Sequence, residues 1–212
     1  MPHEDDAPLG LRERKKRATR VALSQATIGL CIQRGWDNVT VEDIAAAANV
    51  SVRTFRNYFS SKAEAIAAGH LERMLRIADE LRDRPDAEPL WDSIVHAVQS
   101  QFAAGDAAAA AGGGSAHDRR WQDGLRLMLA EPALQGEVVK ANAAAQDELA
   151  KAIAERTGTD ATRDLYPKLV AAVVSAGSAV AVEHCLRADS PTPLGPVLTE
   201  VFEQLARGLP VP

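Results

Sequence analysis

Residues 40–59 read Thr-Val-Glu-Asp-Ile-Ala-Ala-Ala-Ala-Asn-Val-Ser-Val-Arg-Thr-Phe-Arg-Asn-Tyr-Phe, and this stretch leaves the chain few options. Thr40 is placed to cap a helix whose apolar positions are Val41, Ile44, Ala45 and Ala48, with Asp43 at the reciprocal position of a capping box. Asn49 tolerates the left-handed conformation a tight turn needs, Val50 plugs the corner, and Ser51 caps a second helix, Val52 to Phe59. That helix buries Phe55 and Phe59 and turns Arg53, Thr54, Arg56, Asn57 and Tyr58 outward. Ala45 is small enough to let the two helices cross closely. Two short helices joined by a three-residue turn form a helix-turn-helix, whose second helix enters the major groove of DNA. Ser61-Lys62-Ala63-Glu64 then reads as a capping box that opens a long fourth helix.

The distribution of charge agrees with a polyanion-binding N-terminal part. The net charge of −5 and the pI near 5.6 point away from nucleic acid when taken over the whole chain. Residues 9–62, however, carry ten Lys and Arg against four Asp and Glu, while residues 63–212 carry fourteen against twenty-two. The first helix, Leu11 to Arg34, crowds Arg12, Arg14, Lys15, Lys16, Arg17 and Arg20 into its first half. Its second half repeats small and apolar pairs at Ala22/Leu23, Ala26/Thr27 and Leu30/Cys31, a face to be buried.

Helix formers dominate everywhere else and β-branched alternation is scarce, so the fold expected is all-α. Gly and Pro clusters divide the chain into about nine helical segments, three short ones first. Residues 1–10 read as a flexible tail, 11–60 as the helix-turn-helix domain and 61–212 as a larger helical body. The run Ala103 to Ala116, rich in Ala and Gly, reads as a mobile loop. In the body, Trp91, Phe102, Trp121, Leu125, Met128 and Leu129 supply apolar surface, as lining of a ligand cavity or as plain core. Leu169 to Val182, with Val170 and Val174, is poor in bulk and allows another helix to approach, and Val197, Leu198, Val201, Phe202 and Leu205 form an apolar stripe. These last two helices either pack within one chain or pair with a second copy.

Several classes are disfavoured. The longest uncharged stretch, Leu169 to Val182, is 14 residues, short of the roughly 20 needed to span a bilayer. No secretory signal pattern opens the chain, and the two cysteines, Cys31 and Cys185, suit a reducing cytoplasm. No catalytic, metal or cofactor motif is present. His184 and Cys185 are neighbours, but adjacent helical residues point about 100° apart and do not converge on one ion.

The stretch Arg20 to Ile66, with Gly35-Trp36, Thr40 to Ala45, Val50-Ser51, Thr54-Phe55, Tyr58-Phe59 and Lys62, resembles the TetR family of bacterial transcriptional regulators. Asn49, Arg56 and Cys31 depart from the Gly, aromatic and Phe common at those places. The resemblance implies a three-helix DNA-binding domain, a C-terminal ligand pocket, and a homodimer made by the last two helices, here through Val170, Val174, Leu198, Phe202 and Leu205. It further implies a dimeric repressor that binds a palindromic double-stranded operator and is released by a small effector. By position, Thr40, Tyr58 and Lys62 match places that touch phosphate, with Ser51 capping the recognition helix beside the backbone. Arg53, Thr54 and Asn57 match places facing base edges, in keeping with arginine's grip on guanine and asparagine's on adenine. Lys15, Lys16 and Arg17 form the electrostatic flank. The opening Leu9 to Lys16 is similar to the branch of that family associated with acyl-CoA-like ligands and mycofactocin regulation. That similarity tilts the effector toward an acyl-CoA-like molecule, whose head would need Arg119, Arg120 or Arg126. A small helical enzyme with an appended DNA-binding-like domain, and an architectural DNA binder without effector, are the competing classes.

Overall fold

The computed structural model describes residues 10–108, 123–124, 126–127, 130–187 and 194–209, without the side chains of residues 11 and 102–108. Eight helices stand among the described residues, and no strand. They are α1 (Leu11–Arg34), α2 (Val41–Ala47), α3 (Val52–Tyr58), α4 (Lys62–Asp83), α5 (Leu90–Ala108), α6 (Pro132–Thr157), α7 (Leu165–Arg187) and α8 (Leu194–Ala206). The chain divides into two compact units, one ending at Gly69 and the other beginning at His70, so the division falls inside α4.

The first unit is built around Leu23, Thr27 and Cys31 of α1, Ile44 and Ala45 of α2, and Phe55 and Phe59 at α3, all buried. Of the small partners expected beside the α1 positions, Ala22 is exposed, so the buried stripe is narrower than the paired pattern suggested. Thr27 is fully buried because its hydroxyl donates to the Leu23 carbonyl at 2.7 Å, which satisfies it within the helix. Residues Ala63, Ala65, Ile66 and Ala67 of α4 are buried as well.

The second unit has one core, drawn from Ile77, Ala78 and Leu81 (α4), Ile94, Ala97 and Val98 (α5), Leu149, Ala150, Ala152 and Ile153 (α6), Ala171, Val174 and Ala181 (α7), and Leu198 and Phe202 (α8). The turn between α4 and α5 is fastened by Arg156 of α6. Its guanidinium donates to the carbonyls of Arg84 (3.0 Å), Pro85 and Glu88 (3.0 Å), and to Ser93 Oγ (2.9 Å). Glu88 accepts from Arg84 and from Ser93 Oγ, and these bonds, the arginine first, hold its carboxyl down at about 2.

Three expectations are corrected here. The Ala103 to Ala116 run does not begin as a loop: α5 continues through Gly105 to Ala108, because alanine-rich sequence favours helix enough to carry one glycine. The rest of that run lies outside the described residues, as does the tail before Gly10. Val174, Leu198 and Phe202 are not surface for a second copy, since each is buried within its own chain. Phe202 receives the Trp91 indole edge-on at 6.1 Å, and its carbonyl accepts from Trp91 Nε1 at 3.2 Å. The exposed apolar side chains of α7 are instead Leu165, Tyr166, Leu169 and Val180. Lastly, α7 runs 23 residues and is, by length and composition, long and apolar enough to cross a bilayer. The 14-residue reading stopped at charges through which the helix continues. In this fold α7 packs on α6 and α8 as part of the core.

Candidate nucleic-acid interface

The geometry of residues 40–59 follows from local hydrogen bonds. Thr40 Oγ accepts from the Asp43 amide at 3.1 Å, and the Asp43 carboxylate accepts from the Thr40 amide at 2.9 Å and its hydroxyl at 2.7 Å, a complete capping box. These bonds, the hydroxyl first, hold the Asp43 carboxyl below the usual carboxylate range, with Arg34 at 3.5 Å assisting. Asn49 takes the left-handed conformation, φ 54°, and the Val50 amide donates to the Ala45 carbonyl at 2.9 Å to close the turn. Ser51 Oγ then accepts from the Thr54 amide at 3.0 Å to start α3. Phe55 and Phe59 are buried against each other with ring centroids 5.8 Å apart. Their burial fixes the roll of this seven-residue helix, leaving Arg53, Arg56 and Asn57 exposed and Thr54 and Tyr58 half-buried.

Lys15, Lys16 and Arg17 are exposed on α1, while Arg20 lies over the Phe59 ring at 4.8 Å. Two residues expected on phosphate already have hydrogen-bond partners within the fold. The Thr40 hydroxyl hydrogen is committed to Asp43. The Lys62 ammonium donates to the carbonyls of Trp36 and Val39 (3.1 Å) and sits 4.2 Å above the Trp36 ring, so only one of its three hydrogens remains. Sequence spacing carried no sign of this brace, because Trp36 and Lys62 meet only in the folded unit. The expected Ser61 box also closes differently: Ser61 Oγ caps the Glu64 amide at 3.1 Å, but the Glu64 carboxylate accepts from the amide and hydroxyl of Ser60.

In the body, Trp91 is half-buried against the core. Phe102 has its backbone in α5 with its side chain undescribed, and Trp121, Leu125, Met128 and Leu129 lie outside the described residues. Arg126 is exposed and pairs with Asp123 at 3.1 Å; Arg119 and Arg120 lie outside. His184 is exposed while Cys185 is buried, so the two side chains point apart.

A helix-turn-helix capped at both helices, with a basic and amide-bearing outer face, on an otherwise all-helical chain, defines a DNA-binding regulator. Residues 23–68 match the family described as bacterial regulatory proteins, tetR family, and residues 88–210 match the MftR C-terminal domain. The chain belongs to the TetR family of transcriptional regulators. It is 31% identical to the HTH-type transcriptional regulator TcmR of Streptomyces glaucescens over 187 residues, 85% of this chain and 79% of that one. It is 29% identical over 209 residues, 99% of this chain and 98% of the other, to a protein of Mycobacterium tuberculosis named as the mycofactocin biosynthesis transcriptional regulator MftR. Among solved structures it shares its fold with the fatty acid degradation regulator FadR of Bacillus halodurans (18% identity, TM-score 0.57, 90% and 96% coverage). Thermus thermophilus FadR, a TetR family repressor in complex with lauroyl-CoA, is similar at 18% identity, TM-score 0.55, with 91% and 96% coverage.

Proposed function

We propose that this regulator is a dimeric repressor that leaves its operator when an amphipathic effector binds the body. The observation that carries the DNA half is the roll of α3, which buries Phe55 and Phe59 and presents Arg53 and Asn57 to solvent. In this reading Arg53, Thr54 and Asn57 face base edges, and Ser51 and Tyr58 lie beside the phosphates. Thr40 and the remaining hydrogen of Lys62 approach the backbone from the braced frame, and Lys15, Lys16 and Arg17 add charge without sequence preference. Residues 11–60 are the DNA-binding domain and 61–212 the effector and dimerisation domain, working in the cytoplasm.

Two recognition helices must stand about 34–36 Å apart to enter successive major grooves, so a palindromic site demands a dimer. The exposed apolar side chains of α7 supply a surface for the second copy. An effector that prefers a body with another spacing lowers the DNA-competent population, and one indifferent to spacing changes nothing. Support for an acyl-CoA-like effector comes from the branch similarity in residues 9–16 and from the longer match of residues 88–210 to the MftR C-terminal domain. Selection of bound sequences from random DNA, followed by titration of the complex with long-chain acyl-CoA and with the free acid, tests both halves. A selected palindrome released by either ligand supports the reading; release by neither removes the acyl effector and leaves the DNA half standing.

A further inference from the structure

Arginines near the end of α4 have carboxylates around them. Arg82 donates to Glu148 and Glu155 of α6 at 2.7 Å each and lies 3.5 Å from Asp79, and Arg84 pairs with Glu88. Arg73, further back on the same helix, is half-buried and forms no hydrogen bond or ion pair with any described residue. Arg76, three positions on, spends only its Nε, donated to Gln101 Oε1 of α5 at 3.0 Å, and its terminal nitrogens have no described partner. Three positions before Arg73, His70 Nε2 donates to Asn142 Oδ1 of α6 at 2.6 Å. Arg73 therefore stands on α4 between a bridge to α6 and a bridge to α5, and Met74 and Ile77 beside it pack into the apolar core. Desolvation first, and then the charge of Arg76, hold the Arg73 guanidinium below the usual arginine range. Burial first, with the charge of Arg73 adding to it, likewise holds His70 below the usual histidine range.

A partly buried charge without a counterion is costly, and a second like charge beside it adds to the cost. Both are relieved together by one anionic group, and a planar guanidinium fork fits the two oxygens of a phosphate or carboxylate. We propose that Arg73 and Arg76 form an anion subsite of the body, between α5 and α6, that grips the phosphate or carboxylate group of the effector. The subsite rests on the effector reading for the kind of molecule it takes, and its geometry stands apart from that reading.

Thermal unfolding in sodium pyrophosphate, and in sodium dodecanoate below its micelle concentration, each against sodium chloride at equal ionic strength, reads the subsite. At least one of these anions should raise Tm of the wild-type protein. Arg73→Met should abolish the rise, Arg73→Lys should keep part of it, and the calorimetric Kd for that anion should weaken about tenfold in Arg73→Met. Without anion, Arg73→Met should melt no lower than wild type, because an uncompensated charge has gone. Should that variant fail to fold, Arg73→Gln, which keeps the length and polarity, carries the same comparison. No rise with either anion, or a rise undiminished without Arg73, overturns the subsite. Operator release separates the two readings, with dodecanol as the uncharged analogue. Anions that bind through Arg73 without releasing DNA leave the subsite standing and remove the effector reading. Release by dodecanol as readily as by dodecanoate, or release undiminished in Arg73→Met, keeps the effector and overturns the subsite.

Discussion

At Lys62 a single ammonium holds the 36–39 segment to the start of α4, and its loss should be felt in stability before it is felt on DNA. Two charge-assisted bonds to partly buried carbonyls predict a cost of roughly 1.5–3 kcal/mol for Lys62→Ala, checked by urea unfolding. Arg53 is the contrasting case, exposed and free of structural duty. Arg53→Ala should leave the urea midpoint unchanged, lose about 1–3 kcal/mol on the selected operator and relax preference at one base pair. If affinity and preference both survive, the orientation of α3 on DNA is wrong. Glu88 sets the acid limb. Its carboxyl titrates at about 2 in the fold against 4.5 ordinarily, so the native state binds fewer protons than the unfolded state between those values. Its contribution is complete above pH 4.5 and is lost as pH falls toward 2. Glu88→Gln should therefore flatten the decline of stability across that window in pH-dependent unfolding.

Among the elements, caps and turn of the helix-turn-helix are legible residue by residue because each contact lies within five positions along the chain. Thr40 with Asp43, Asn49 at positive φ, and Ser51 with Thr54 are all local bonds. Elements that meet others are less legible. Helix α7 comes close to α8 at Gly177, where a Cβ would stand 2.9 Å from Leu205 Cδ1 and 3.2 Å from Val201 Cγ1. Gly177→Ala should be nearly neutral, since the movable end of Leu205 can shift. Gly177→Leu should cost about 1–3 kcal/mol by forcing the helices apart, as thermal unfolding would record. The Ala and Gly run after Phe102 shows the opposite failure: composition suggested a loop, yet its first residues continue α5.

For the whole molecule, the assembly prediction moves from the core to the exposed face of α7. Leu169 and Val180 are 52% and 57% exposed, whereas Phe202 is 0% exposed. The double variant Leu169→Asp with Val180→Asp should sediment as a folded monomer and lose tight operator binding. Phe202→Asp should instead unfold the body, because it buries a charge with no partner. A wild-type chain that sediments as a monomer at micromolar concentration would defeat the dimer. Helical class, the two capped helices of the helix-turn-helix and the exposure of Arg53, Arg56 and Asn57 were legible in the sequence, because helix periodicity, caps and turns are written in residues a few positions apart. Which apolar residues of α7 and α8 are core, where Lys62 spends its hydrogens, and that Arg73 has no partner among the described residues were decided only by the tertiary structure. Those outcomes depend on side chains tens of residues apart competing for the same space and the same hydrogen-bonding groups, and no local pattern records which of them wins.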